Sequence, residues 1–107
     1  MTPFAKQWIA ALRSGKYKQM AGALNKGDKF CAFGVACQLM ASQLTVVVKP
    51  DGHTLYNGRG AFPPSKVLDA LGLKDCVGTI TSMNDHDDLS FEEIANRLLE
   101  EPDDYFR

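Results

Sequence analysis

The sequence predicts an α+β domain: four or five short helices around a central buried helix at about 29–42, with a small antiparallel β-sheet at about 44–60. Three observations carry this. From Phe30 to Ala41 the only strongly polar residue is Gln38, and a helix apolar on every side is one surrounded by protein. The run Thr45–Val48 is wholly β-branched and leads into Pro50-Asp51-Gly52, a turn with a preset φ at Pro and a free one at Gly. Ser90 stands three residues before Glu93, the spacing of a capping box that opens a helix.

Taken in order, the first helix is set by Thr2 as cap and Pro3 at the first helical position, with Phe4, Trp8, Ala11 and Leu12 on one face and Gly15 as its stop. The stretch "KYKQMAGALNKGDK" carries Gly22, Asn25 and Gly27 without a sustained period, so it reads as an ordered loop with at most a short strand. Asp28 is the expected cap of the central helix. Gly34 in the middle of that helix costs about 1 kcal/mol relative to Ala, which predicts the close approach of another backbone. "HTLY" returns from the Pro50-Asp51-Gly52 turn, and Asn57-Gly58 turns again. Pro63-Pro64 ends the strand and opens a helix over "SKVLDALGL", closed by Gly72. Residues 75–84 read as a short helix or turn. In the last helix Leu89 and Ile94 occupy the hydrophobic-staple positions around Ser90; Pro102 ends it and leaves "DDYFR" as a tail.

With 107 residues the chain makes one domain, 1–107, long enough for a core without staples. No stretch approaches the roughly 20 apolar residues of a membrane span, and "MTPFAKQW" lacks the basic-then-apolar pattern of a signal peptide, so a cytoplasmic location is expected. Cys31, Cys37 and Cys76 show no C-x-x-C spacing. On a helix, six residues rise about 9 Å, beyond the roughly 7 Å that a disulfide spans between Cα atoms, so reduced thiols are expected. The net charge of −1 hides an asymmetry: residues 1–60 hold eight Lys/Arg against two Asp, and residues 61–107 hold four Lys/Arg against eleven Asp/Glu. Either the halves neutralise each other within the fold, or one of them faces a charged partner.

The candidates for chemistry are few. Cys31 in the first turn of a helix, followed by a hairpin bearing His53, resembles the layout of small cysteine hydrolases; its apolar neighbours Phe30, Phe33 and Val35 point instead to packing. His53 and His86 have no zinc spacing, and "NDHDD" at 84–88 fails as an EF-hand loop because Leu89 and Ser90 stand where an oxygen ligand and Gly are needed. No metal and no cofactor are expected. "RSGKYKQ" at 13–19 is the best polar stretch: Arg13, Lys16, Tyr17, Lys18 and Gln19 interleave positive charge with an aromatic, which suits an anionic ligand. The composition is not basic enough for a nucleic-acid binder.

"WIAALRSGKYKQMAGAL", "FCAFGVACQL" and "MNDHDDLSFEEIANRL" resemble successive blocks of a small uncharacterised family of phage, prophage and bacterial proteins, with the patterns W-x-x-A-L-R-S-G-x-Y-x-Q, C-C-L-G-V-x-C and N-D-x-x-x-S-F-x-E-I-A. Ala32 and Phe33 stand where that pattern has Cys and Leu. The resemblance brings no activity; it implies a phage-type accessory protein in the host cytoplasm, with Arg13, Tyr17, Gln19 and Asn84 converging near the Cys31 end of the central helix. The expected function is a non-catalytic binding module, such as a counter-defence or host-takeover factor. Its partner would be a host protein or a nucleotide-like anionic molecule bound by Arg13, Lys16, Tyr17, Lys18, Gln19 and Asn84. A Cys31-dependent hydrolase and a self-associating component of a phage assembly are the alternatives.

Overall fold

A computed structural model describes all residues, 1–107, and gives an α+β fold. Helix α1 (Pro3–Arg13) begins where Thr2 predicts: the Thr2 hydroxyl accepts from Ala5 N–H at 3.0 Å and donates to Ala70 O at 2.8 Å. One side chain thereby caps α1 and ties it to α3 (Ser65–Leu71). The buried face of α1 is Ala5, Trp8, Ile9 and Leu12, packed on α2 (Ala32–Leu39), α3 and α5 (Phe91–Glu100). Trp8 stacks on Phe33 with ring centroids 5.6 Å apart, and its Nε1–H donates to Ala32 O at 2.8 Å.

The central helix is shorter than expected and starts later. Asp28 is not its cap. Residues Asn25–Lys26 (β2) and Lys29–Phe30 (β3) form an antiparallel pair around a two-residue Gly27-Asp28 turn, Gly27 having φ +60. Asn25 clamps that turn by donating from Nδ2 to Gly27 O at 3.0 Å and Lys29 O at 2.7 Å. Three further residues are spent before the helix opens, and its cap is Cys31. Lys18–Gln19 (β1) pairs parallel to β3, so the stretch expected as a loop is a three-stranded sheet in the order β1-β3-β2. At its far end α2 passes into a 3-10 turn, Ala41–Gln43.

The predicted hairpin is present as β4 (Val46–Val48) and β5 (Thr54–Tyr56), antiparallel, with Val47 opposite Leu55. Asn57 and Gly58 both have positive φ, 50 and 79, as a tight I′-type turn requires. Gly72 closes α3 in the left-handed conformation. Helix α4 (Val77–Asp85) follows, and α5 opens on the full capping box: Ser90 Oγ accepts from Glu93 N–H at 3.1 Å, and Glu93 Oε1 accepts from Ser90 N–H at 3.0 Å. The expected tail is instead structured. Pro102 ends α5 but opens α6 (Pro102–Tyr105), since Pro is well placed at a first helical position; Phe106 is buried and bridges to Leu73.

Gly34 performs the predicted close approach. A Cβ there would stand 1.7 Å from Leu24 O and 2.7 Å from Leu24 C. Gly34→Ala is expected to lower stability in urea melts by at least about 3 kcal/mol, the upper range for forcing extra volume into a packed core. Gly78→Ala is the control: its Cβ meets nothing within 4 Å, so stability should hold or rise by roughly 0.5 kcal/mol. Equal melting of Gly34→Ala and wild type would mean the chain does not cross there. Ser90→Ala should cost about 1 kcal/mol through the lost cap; an unchanged urea midpoint would show that α5 begins elsewhere.

Candidate functional site

The site lies at the head of α2. Of the first three N–H groups of that helix, Ala32 N–H donates to Asn84 Oδ1 at 3.1 Å and Gly34 N–H to Cys31 Sγ at 3.3 Å. Asn84 is brought there by α4 and is buried. Its Oδ1 also accepts from Gln19 Nε2 at 3.0 Å, while its Nδ2 donates to Met20 O and to Asp85 Oδ1, both at 2.8 Å. Both lone pairs and both protons are used, the whole capacity of a side-chain amide. Gln19 reaches on to the head of α5, donating to Leu89 O at 2.8 Å and accepting from Phe91 N–H at 3.0 Å. Two amides thus join β1, α2, α4 and α5.

Over this joint is a cleft of about 170 Å³, close to the ~150 Å³ of a cavity that holds a benzene ring. Its floor is the buried Cys31, Ala32 and Phe33; Gly22, Ala23, Thr81, Asn84 and Asp85 also line it, and the exposed Ala61 and Phe62 form its rim. Phe62 is 56 % exposed. Burial pushes the Cys31 thiol up to about 11, outweighing the Gly34 and Phe33 N–H groups that favour a thiolate, and the Asp85 charge pushes the same way. A helix N-terminus does not activate this cysteine, because desolvation wins.

Among the residues singled out by sequence, Gln19 and Asn84 meet at the Cys31 end of α2. Tyr17 packs edge-on against Phe30 at 5.4 Å. Arg13 lies elsewhere, donating to Asn96 Oδ1 at 3.0 Å on α5. Lys18 pairs with Asp28 at 2.9 Å, and Lys16 is exposed. His53 Nδ1 sits 3.1 Å from Asp51 Oδ1 within its own hairpin turn and does not line the cleft that holds Cys31. Cys37 and Cys76 are buried free thiols, and no cluster of metal-ligating side chains occurs. No close ion pair joins the two charged halves: Lys18–Asp28, Lys49–Asp51 and His53–Asp51 all lie within residues 1–60. Side-chain amide hydrogen bonds and packing join them instead. Sequence reasoning missed Phe62, Thr81 and Asp85. An aromatic directly before Pro63-Pro64 was the available signal for Phe62, and Asp85 stood in the "NDHDD" stretch weighed for oxygen ligands; Thr81 had none.

The chain belongs to the family described as Domain of unknown function (DUF8296), whose model matches residues 2–59. The match runs from the cap of α1 past β5 and includes the cleft floor but not Phe62, Thr81, Asn84 or Asp85. No curated protein and no solved structure matches the chain.

At neutral pH the thiolate fraction of Cys31 is about a hundredfold below that of an ordinary cysteine, given a shift from 9.0 to about 11. Native-state iodoacetamide labelling of Cys31 should be slower than in urea by at least that factor; rapid selective labelling at pH 7 would contradict it. Burial also raises Cys37 and Tyr56 to about 12. These groups hold their protons more tightly folded than unfolded, so their contribution is complete below the ordinary thiol range and is lost as pH rises through the folded values. Urea midpoints should be level between about pH 6 and 8 and fall above about pH 9.

Proposed function

We propose that this chain is a non-catalytic binding module and that it takes its partner at the cleft over the head of α2. The observation that carries this is the employment of Cys31, the one thiol lining the cleft, as a desolvated helix cap. His53, the partner that a Cys31-dependent hydrolase would use, does not line the cleft, and Gln19 and Asn84 spend their hydrogen bonds on backbone, on Asp85 and on each other. What remains is a small concavity, mostly apolar, with an exposed aromatic on its rim: the shape of a pocket that accepts one anchoring group. The cleft is favoured over the basic turn at 13–19 because Arg13, Tyr17, Lys18 and Gln19 there have partners within the fold. The resemblance of its sequence blocks to those of phage, prophage and bacterial proteins supports a role in a bacterial cytoplasm, as a counter-defence or host-takeover factor that captures a host component.

A second reading, a self-associating assembly component, has one observation in its favour. β4 is the outer strand of its sheet and exposes Val46, Val47 and Val48, an unpaired apolar edge of the kind that recruits another strand.

Ala61→Trp tests the cleft, since Ala61 is exposed at the rim and an indole would fill the space without disturbing the core. Pull-downs from bacterial lysate should show a specific co-purifying component with wild type and with Cys31→Ala, and its loss with Ala61→Trp at an unchanged melting temperature. Capture that survives Ala61→Trp but fails in Arg13→Ala/Lys16→Ala would move the site to the basic turn. Loss in Cys31→Ala together with a turnover activity would restore the hydrolase. Sedimentation equilibrium of wild type against Val47→Lys decides the assembly reading: a monomer in both cases removes it.

A further inference from the structure

Resting on that cleft, we propose that its occupant is an organic cation on an apolar stem: an ammonium or guanidinium group that meets Asp85 while its stem lies against Phe62. Asp85 is the only charged residue in the lining. Its Oδ1 accepts from Asn84 Nδ2 at 2.8 Å, which fixes the carboxylate and leaves Oδ2 without a protein donor. The positive end of α2 does not cancel it, because the Ala32 and Gly34 N–H groups are engaged by Asn84 and Cys31. The Asp85 charge reaches the floor of the cleft, where it helps hold the Cys31 proton in place.

The same lining holds the exposed ring of Phe62 and its neighbour Ala61, with Ala23 and Ala32 adding small apolar surface. An aromatic face attracts a cation as well as covering its stem. At about 170 Å³ the cleft accepts one ring or one extended aliphatic chain. A nucleotide would be too large, and its phosphates would meet Asp85. The geometry points away from the anionic ligand that "RSGKYKQ" suggests by sequence.

The test is a ¹H–¹⁵N NMR titration of the full chain with three probes: phenethylammonium, its neutral isostere 2-phenylethanol, and N-acetyl-lysine-N-methylamide. The expected result is saturable shifts of the Phe33, Asn84 and Asp85 amides with a cationic probe. 2-Phenylethanol should bind the same amides about fivefold more weakly than phenethylammonium, the upper end for a solvent-accessible ion pair. Asp85→Asn, which keeps the acceptor for Asn84, should remove that difference and leave the neutral probe unchanged; Phe62→Ala should weaken every probe. Tighter binding of phenethylammonium assigns a free aromatic amine, and tighter binding of the blocked lysine assigns a side chain displayed by a partner; both support the cation. If the neutral isostere matches the amine in wild type, the charge is not read and this proposal falls while the binding cleft stands. If no probe moves the cleft amides, both fall.

Discussion

The fold depends on one backbone crossing. Leu24 lies so close over α2 that only a hydrogen fits at position 34, where a Cβ would stand 1.7 Å from Leu24 O. The same carbonyl accepts from Cys31 N–H at 3.1 Å, and Leu24 N–H donates to Gly60 O at 2.8 Å. One fully buried residue thus fixes the start of α2 with its acceptor and the 57–64 loop with its donor. The glycine penalty inside a helix, about 1 kcal/mol, is offset by two backbone hydrogen bonds and a buried leucine that no bulkier residue at 34 would permit.

The second joint is the amide pair Gln19 and Asn84, and its chemistry follows from what it must satisfy. The heads of α2 and α5 each present N–H groups that lack intrahelical partners, while Met20 O and Leu89 O need donors at the same place. A carboxylate would supply only acceptors and an ammonium only donors; an amide supplies both without a charge to desolvate. The joint between the basic and acidic halves is made by neutral amides, and Asp85, which accepts from Asn84 through Oδ1, keeps its second oxygen free of protein donors at the cleft.

Several signals whose chemistry is local were read correctly. Thr2-Pro3 at the start of α1, the Asn57-Gly58 turn, Gly72 as a left-handed stop and the Ser90/Glu93 box are interactions among neighbours, and each stands where the residues place it. The start of α2 was misjudged because Asp28 is a better cap than cysteine by ordinary preference, yet Asn25 draws residues 25–30 into a hairpin and carries Asp28 away from the helix. Strands of two residues are too short to show a period, so the three-stranded sheet was legible only as an ordered loop with a short strand. The 102–107 segment was misread because proline is both a helix stop and a favoured first residue, and only the burial of Phe106 against Leu73 decides between them. Gln19 and Asn84 were identified as site residues; their role as a structural joint needed the distance between them.

The cleft itself was illegible because its walls come from four separated segments, and the reason it can be specific lies in how those segments divide the work. The floor is anchored: Cys31, Ala32 and Phe33 are buried and engaged with Gly34, Asn84 and Trp8. A change there would orphan a buried polar group or open the core, either of which costs more than most single contacts with a ligand return. Phe62 stands outside that constraint, and Asp85 does so only through its second oxygen. The ring is more than half exposed, and the partly buried carboxylate keeps one oxygen on Asn84 Nδ2, so under the proposal Asp85→Asn changes the charge the cleft presents while preserving that acceptor. The family match ends before both of them, at residue 59, while it spans the floor and the crossing. The cleft we propose as a binding site therefore has a floor fixed by the Gly34 crossing and by Asn84, and its exposed chemistry rests on Phe62 and on the Asp85 oxygen that Asn84 does not use.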